Sequence, residues 1–274
     1  MRIHTGVLLL VVAAASLAEE PAAAPAAPPA PETAPAPTPA AEPAAAGAPD
    51  AAARFDELWK TRDDPATLKA ADALIAESLK ATPDTYDVLW RAARARWWVA
   101  DGAADDTLKK QVAKEAWDFA ARAQKAKPGA LEGTYYTALS IGAYSQSVGI
   151  LKAITEGLEK QYVTNLDAAL KLNEGYDRYG GLRAKGRYYW SLPWPKRDLK
   201  KSREILLRAA EKNPEHLRNW LFLAETELKD GNPKEAKAAI EKVLNGSLDF
   251  DPPEGRRSKA WAKPVAAEIE KALK

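Results

Sequence analysis

Between residues 71 and 243 a set of small and apolar residues returns in a fixed register. Ala71, Ile75 and Ser78 precede Pro83; Ala116, Ala120 and Ala123 precede Pro128; Tyr162, Leu166 and Ala169 precede Glu174; Ser202, Leu206 and Ala209 precede Pro214. Each set steps by four, three and five residues. The first three members therefore share one helical face, and the last ends the helix, since proline cannot continue it. Ala236, Ile240 and Val243 repeat the face without a closing proline. Ten residues past each of the first four closing positions stands an alanine: Ala93, Ala138, Ala184 and Ala224. Two helices approach closely only where a side chain is small, so the register describes helical hairpins stacked one on the next.

This register resembles the tetratricopeptide repeat, a helix–turn–helix of about 34 residues. It predicts an all-α superhelical solenoid of about five helical hairpins with capping helices. The interval from Ala224 to Ala236 is 12 residues, the standard spacing, whereas Ala184 to Ser202 is 18, Ala138 to Tyr162 is 24 and Ala93 to Ala116 is 23. The two largest excesses amount to about three helical turns at 3.6 residues per turn, and they predict longer helices in the middle hairpins. Asn232-Pro233-Lys234-Glu235 provides a cap, a proline at the first helical position and a first-turn carboxylate. Leu192-Pro193-Trp194-Pro195 reads as a rigid turn, and Asp251-Pro252-Pro253 as the break between the halves of the fifth hairpin. A leading helix, residues 51–60, and a trailing one, residues 259–274, should cap the stack, with Pro264 kinking the latter or setting its start.

The beginning of the chain has a different character. Arg2, an apolar run from Val7, and the small residues Ser16 and Ala18 before Glu19 make residues 1–18 a secretory signal peptide. The run is shorter than the roughly 20 residues a membrane-spanning helix needs. Residues 19–50 form a Pro/Ala-rich segment, with 10 Pro and 14 Ala between Pro21 and Asp50. Such a composition cannot bury enough apolar surface to order itself and predicts a disordered, semi-rigid spacer. The folded domain is then 51–274, and the protein is expected to be periplasmic or secreted, with no membrane span after signal cleavage. The chain has no cysteine, which removes disulfides, thiolate metal sites, thiol nucleophiles and the lipid-bearing cysteine of a lipoprotein. Residues 51–274 carry 39 Lys and Arg against 33 Asp and Glu, evenly mixed; a nucleic-acid footprint would be clustered, so no nucleic-acid partner is expected.

The stretch Tyr179-Gly180-Gly181-Leu182-Arg183-Ala184-Lys185-Gly186-Arg187-Tyr188-Tyr189-Trp190-Ser191-Leu192-Pro193 resembles the TRAP-transporter-associated tetratricopeptide family, TatT. Trp59-Lys60-Thr61-Arg62-Asp63 and Leu89-Trp90-Arg91-Ala92-Ala93-Arg94 fit the earlier part of that family, and the resemblance spans about residues 54–245. It implies a periplasmic partner of a solute-binding protein, able to form a trimer, with a channel or groove that passes apolar ligands. The missing lipidation cysteine is a departure that would leave this protein free in the periplasm.

Little in the sequence offers chemistry. His216 is the one histidine after the signal region; it is expected to be a solvated residue at a helix start, so histidine–metal and serine–histidine sites have no material. Asp63-Asp64 and Asp105-Asp106 sit at helix starts, where they favourably meet the helix dipole. Gly180-Gly181 precedes a helix but follows no strand, unlike a phosphate-binding loop. No catalytic residue, metal or cofactor is expected.

The nine tryptophans and the tyrosines are the stronger signal. Placing the small alanines against neighbouring helices turns Trp90, Arg94, Trp97 and Trp98 of one hairpin towards a groove, with Tyr135 and Leu139 from the next. Tyr188 and Tyr189 join from the third, and Arg218, Leu221 and Glu225 from the fourth. Arg183 and Arg187, four residues apart, either clamp an anionic group or pair with neighbouring carboxylates. Aromatics with interspersed arginine suit a binding hot spot or a pocket with a few orienting polar groups. The reading is a binding or adaptor protein that takes a protein partner, or a small apolar or carboxylate-bearing ligand; a structural scaffold for envelope assembly is the alternative.

Overall fold

A computed structural model describes residues 51–274; the signal segment 1–18 and the Pro/Ala-rich segment 19–50 lie outside the described residues. Among the described residues there are twelve helices and no strand: α1 (Ala51–Trp59), α2 (Pro65–Ala81), α3 (Tyr86–Gly102), α4 (Asp106–Ala126), α5 (Leu131–Val148), α6 (Ile150–Thr155), α7 (Leu158–Leu172), α8 (Tyr176–Ser191), α9 (Leu199–Lys212), α10 (Leu217–Lys229), α11 (Pro233–Asn245) and α12 (Pro252–Ala272). They form five hairpins, α1/α2, α3/α4, α5/α7, α8/α9 and α10/α11, with α12 packed on the last. The fold is the expected all-α solenoid. Its cause is visible in the register residues: Ala93, Ala116, Ala120, Ala123, Ala138, Ser202, Ala209, Ala224 and Ala236 are all fully buried.

Helix starts follow local chemistry. Asp64 accepts a hydrogen bond from the Ala66 amide, Asp105 from Leu108 and Asp198 from Lys201, satisfying amides that a helix leaves unpaired. Gly157 closes the α6 turn with φ 74°, a left-handed conformation that glycine adopts without penalty.

Three expectations change. Helices α3 and α4, 17 and 21 residues long, absorb the first excess as predicted. The second is divided between an 18-residue α5 and the separate short helix α6. The Asp251-Pro252-Pro253 segment does not split the fifth hairpin, whose turn is Asp230-Gly231-Asn232; it starts α12, where Asp251 caps the helix and accepts from the Glu254 amide. Of the two roles expected of Pro264, setting the helix start falls away, because the residue lies inside α12.

The solenoid curls until its two ends meet. Arg62, after α1, bonds Asp251 at 2.7 Å, and Arg256 of α12 bonds Asp63 at 2.5 and 2.9 Å. Arg257 donates to the Trp98 carbonyl at 3.0 Å and to Asp101 of α3 at 3.2 Å, and its guanidinium lies 3.2 Å over the Trp98 ring. Arg218 of α10 reaches the same Asp101 at 2.8 Å. These contacts turn a groove open along one side into a ring around an inner cleft.

Candidate functional site

The inner cleft has a volume of about 440 Å³ and is walled mainly by the first helices of the hairpins. Trp97 comes from α3, Tyr135 and Leu139 from α5, Arg183 and Arg187 from α8, Arg218, Leu221 and Phe222 from α10, and Trp261 from α12. Five of the aromatic and arginine candidates thus converge, Trp97, Tyr135, Arg183, Arg187 and Arg218, together with Leu139, Leu221 and Glu225.

Each arginine of the five is already paired. Arg183 is buried and donates to Asp177 at 2.9 Å and to Asn219 at 3.2 Å. Arg187 donates to Glu225 at 2.6 Å and lies 3.6 Å over the Trp190 ring and 4.7 Å over Phe222. Arg218 donates to Glu254 at 2.5 and 2.9 Å as well as to Asp101. Arg183 and Arg187 therefore take the pairing role rather than forming a joint anion clamp. Burial pushes the Arg187 guanidinium down and the Glu225 carboxyl up, each opposed by the attraction of the other. Lys109 also lines the cleft and has no carboxylate partner among the described residues.

Four candidates lie elsewhere. Trp90 is stacked on Tyr136 with ring centroids 6.2 Å apart, inside the core formed by α3 and α5. Arg94 bonds Asp56 of α1 at 2.7 Å and sits over the rings of Trp59 and Trp90. Helix α1 packs on that face of α3, a contact outside the repeating register and so invisible in it. Tyr188 donates to Glu159 at 2.8 Å in a neighbouring cavity, and Tyr189 packs edge-on to Tyr188 with the Lys201 ammonium 4.6 Å over its ring. Trp98, which the register also turned towards the groove, is fully buried, its indole N–H bonded to the Arg62 carbonyl at 2.8 Å.

The most unusual backbone in the molecule supports the cleft. Asp177, Arg178 and Tyr179 have φ of 47°, 56° and 62°, a left-handed turn that costs non-glycine residues about 1 kcal/mol or more each. It turns the Asp177 carboxylate back to accept from the Tyr135 hydroxyl at 2.6 Å and from Arg183. Gly180 leaves the room this needs: a Cβ there would overlap the Tyr135 hydroxyl and the Asp177 carboxylate. Gly181 and Gly186 likewise admit Leu170 and Leu206, and Gly180-Gly181 open the regular part of α8 directly after the left-handed turn. Burial, then the Asp177 charge, push the Tyr135 phenol well above its usual value, keeping it a neutral donor.

His216 corrects its sequence reading. It stands at the N-cap of α10, as expected of a helix start, but it is buried. Burial and the charges of Arg183, Arg218 and Arg178 push it well below the usual imidazole range, and its Nδ1 has no hydrogen-bond partner among the described residues. The residues that sequence reasoning missed are the acidic ones, Asp101, Asp177, Asp251 and Glu254. Each is one carboxylate among many in the sequence: the closed ring brings Asp101 and Asp251 to their arginines, the left-handed turn brings Asp177 to Arg183, and the packing of α12 on α10 brings Glu254 to Arg218.

Stacked hairpins with a small-residue register and first helices facing an inner cleft define a tetratricopeptide-type helical repeat protein. The crystal structure of TTC0263, a thermophilic TPR protein from Thermus thermophilus, superposes with a TM-score of 0.55 at 20% identity, covering 80% of this chain and 98% of that one. The family model described as Regulator of microtubule dynamics protein 1-3 matches residues 52–192, just over half of the chain, and the chain belongs to that family. A comparison with curated proteins finds no match. The structural likeness reaches the tetratricopeptide-like fold, and neither finding reaches TatT. Among the described residues, no helix is long and apolar enough to cross a membrane, and no group of three or more His, Asp or Glu is placed to hold a metal ion.

Proposed function

We propose that this chain is an exported tetratricopeptide-type binding protein whose inner cleft holds a small ligand with an apolar body and an anionic group, acting with a protein partner. The observation that carries the reading is the closed ring. It converts an open surface into a cleft of about 440 Å³, within the range of roughly 300–1,000 Å³ typical of small-molecule sites. The walls are largely aromatic and aliphatic, and Lys109 supplies a cation whose charge no carboxylate of the described residues neutralises. A structural scaffold has no need of such a site.

The export signal and the resemblance to TatT proteins support a place beside a TRAP-type transporter, with a solute-binding protein as the partner. Regulation of microtubule dynamics is the description given to the family; the ligand reading rests on the cleft's own residues. Native mass spectrometry of the full chain, recovered from the envelope of its own cells, tests both parts. The protein should begin at Glu19 and retain a small anionic mass, and Leu139→Trp, which fills the cleft, should lose that mass. A filled variant that keeps the same adduct would sink the reading.

A further inference from the structure

A second cavity, of about 240 Å³, adjoins the cleft, and the two share Gly142, Gln146, Tyr162, Arg187 and Ser191 in their walls. Its roof is α6, the insertion that the long interval from Ala138 to Tyr162 encodes, through Ile150, Ala153 and Ile154. The stacked rings of Tyr162 and Tyr188, with centroids 5.7 Å apart, form another wall.

The two spaces differ in polarity. The chamber under α6 has Glu159 and Arg187 as its charged lining residues. The Glu159 carboxylate is held by the Tyr188 hydroxyl and the Lys196 ammonium, each at 2.8 Å. The cleft is lined by Lys109, Arg183, Arg187 and Arg218 against Asp101 and Glu225. An alkyl chain gains by leaving water for the chamber, where both charged groups are already paired, Glu159 with Lys196 and Arg187 with Glu225. An anionic head is instead attracted by the ammonium of Lys109 in the cleft, which has no ion-pair partner among the described residues. Arg187 stands at the junction.

Gly142 marks the doorway. It lies in the middle of α5, where glycine is the least favourable residue after proline, and it lines both cavities. Even a single Cβ there would come within 3.0 Å of the Tyr162 ring, so a larger side chain would obstruct the passage.

We infer that one ligand spans both spaces: a single-chain amphiphilic carboxylate, with its alkyl chain under α6 and its carboxylate in the cleft beside Arg187 and Lys109. This rests on the cleft reading above and adds the class of ligand. Isothermal titration of the full chain with decanoate, butyrate and decyltrimethylammonium tests it. Decanoate should bind at least about tenfold more tightly than butyrate, because its extra methylenes are buried, and more tightly than the cation. Ile154→Trp, which blocks the chamber from its roof and touches no wall of the cleft, should bring decanoate to the level of butyrate and leave butyrate unchanged. Gly142→Val, which blocks the doorway, should likewise remove the advantage of decanoate over butyrate. Equal binding of decanoate and butyrate by the unaltered protein overturns the inference and leaves the cleft reading standing. So does undiminished decanoate binding in both variants, once their circular dichroism and melting match the parent. Failure of both carboxylates to bind overturns the cleft reading as well.

Discussion

Arg218 donates to both carboxylate oxygens of Glu254, at 2.5 and 2.9 Å, with neither side chain as much as a tenth exposed. A buried ion pair adds little to stability over a well-packed apolar pair, but removing one partner strands the other and costs about 3–5 kcal/mol. Arg218→Met should therefore destabilise the protein by about 3 kcal/mol or more in denaturant unfolding. Arg218→Met with Glu254→Leu should lose less than the single variant, because no charge is then left unpaired at that contact. A single variant with parental stability and weakened ligand binding would make Arg218 a binding residue instead.

Two carboxyls should respond to pH with opposite signs. Burial raises the Glu225 carboxyl above its ordinary 4.5, more than Arg187 lowers it. The folded chain then binds a proton more tightly than the unfolded one, so the stability Glu225 carries is complete below 4.5 and is lost as pH rises through the raised value. Burial also pushes Glu254 up, but the charges of Arg218, Arg183, Arg62 and Arg257 outweigh it and hold the carboxyl below 4.5. Its contribution is complete above 4.5 and is lost as pH falls through the depressed value. Unfolding curves across the acid range should show the advantage of the parent over Glu225→Gln shrinking with rising pH and that over Glu254→Gln growing. Parallel trends would contradict the assignment.

What was legible in the sequence was the part that repeats. Ala93, Ala138 and Ala224 are fully buried because every hairpin needs the same close approach, and a requirement met repeatedly leaves a period. The cleft-lining positions Trp97, Tyr135 and Arg218 followed from that register, whereas Arg183 and Arg187 stood out by their spacing of four and line the cleft where the register had turned Tyr188 and Tyr189 inwards. The placement of Arg94 did not, because α1 covers its face of α3 through Asp56 and Trp59, nor did that of Trp90, which stacks on Tyr136 of α5 within the core. Nor did ring closure: Arg62 and Asp251 are 189 residues apart, and a contact made once leaves no period. The burial of His216 was not legible either, since it depends on how α8, with Arg178 and Arg183, packs against the start of α10.

Gly180 should tolerate no side chain. A methyl group there meets the Tyr135 hydroxyl and the Asp177 carboxylate, so Gly180→Ala should cost about 1–3 kcal/mol by overpacking, despite the better helix propensity of alanine. The left-handed turn beside it gives a companion test. Tyr179, with φ 62°, should accept glycine with no loss of stability, whereas valine, whose branched Cβ disfavours that region, should lower the melting temperature. If Tyr179→Gly and Tyr179→Val melt together, the left-handed turn is absent in solution.

Asp251 joins the two ends of the ring and also starts a helix. One of its oxygens accepts from Arg62 at 2.7 Å, the other from Arg178 at 2.6 Å, and the side chain caps α12 through the Glu254 amide at 3.3 Å. Asparagine is as good a cap as aspartate but brings no charge, so Asp251→Asn separates the two roles. The variant should keep the first turn of α12 protected from hydrogen exchange while amides around Arg62 and at the C-terminal end of α3 exchange faster, and its radius of gyration should rise as the ring opens. Asp251→Ala should do both, and because it leaves the buried Arg62 guanidinium unpaired it should cost about 3 kcal/mol in unfolding. Unchanged exchange around Arg62 in Asp251→Asn would reduce Asp251 to a helix cap. The ring, and with it the cleft, would then have to be held by Arg218, Arg256 and Arg257 on Asp63 and Asp101.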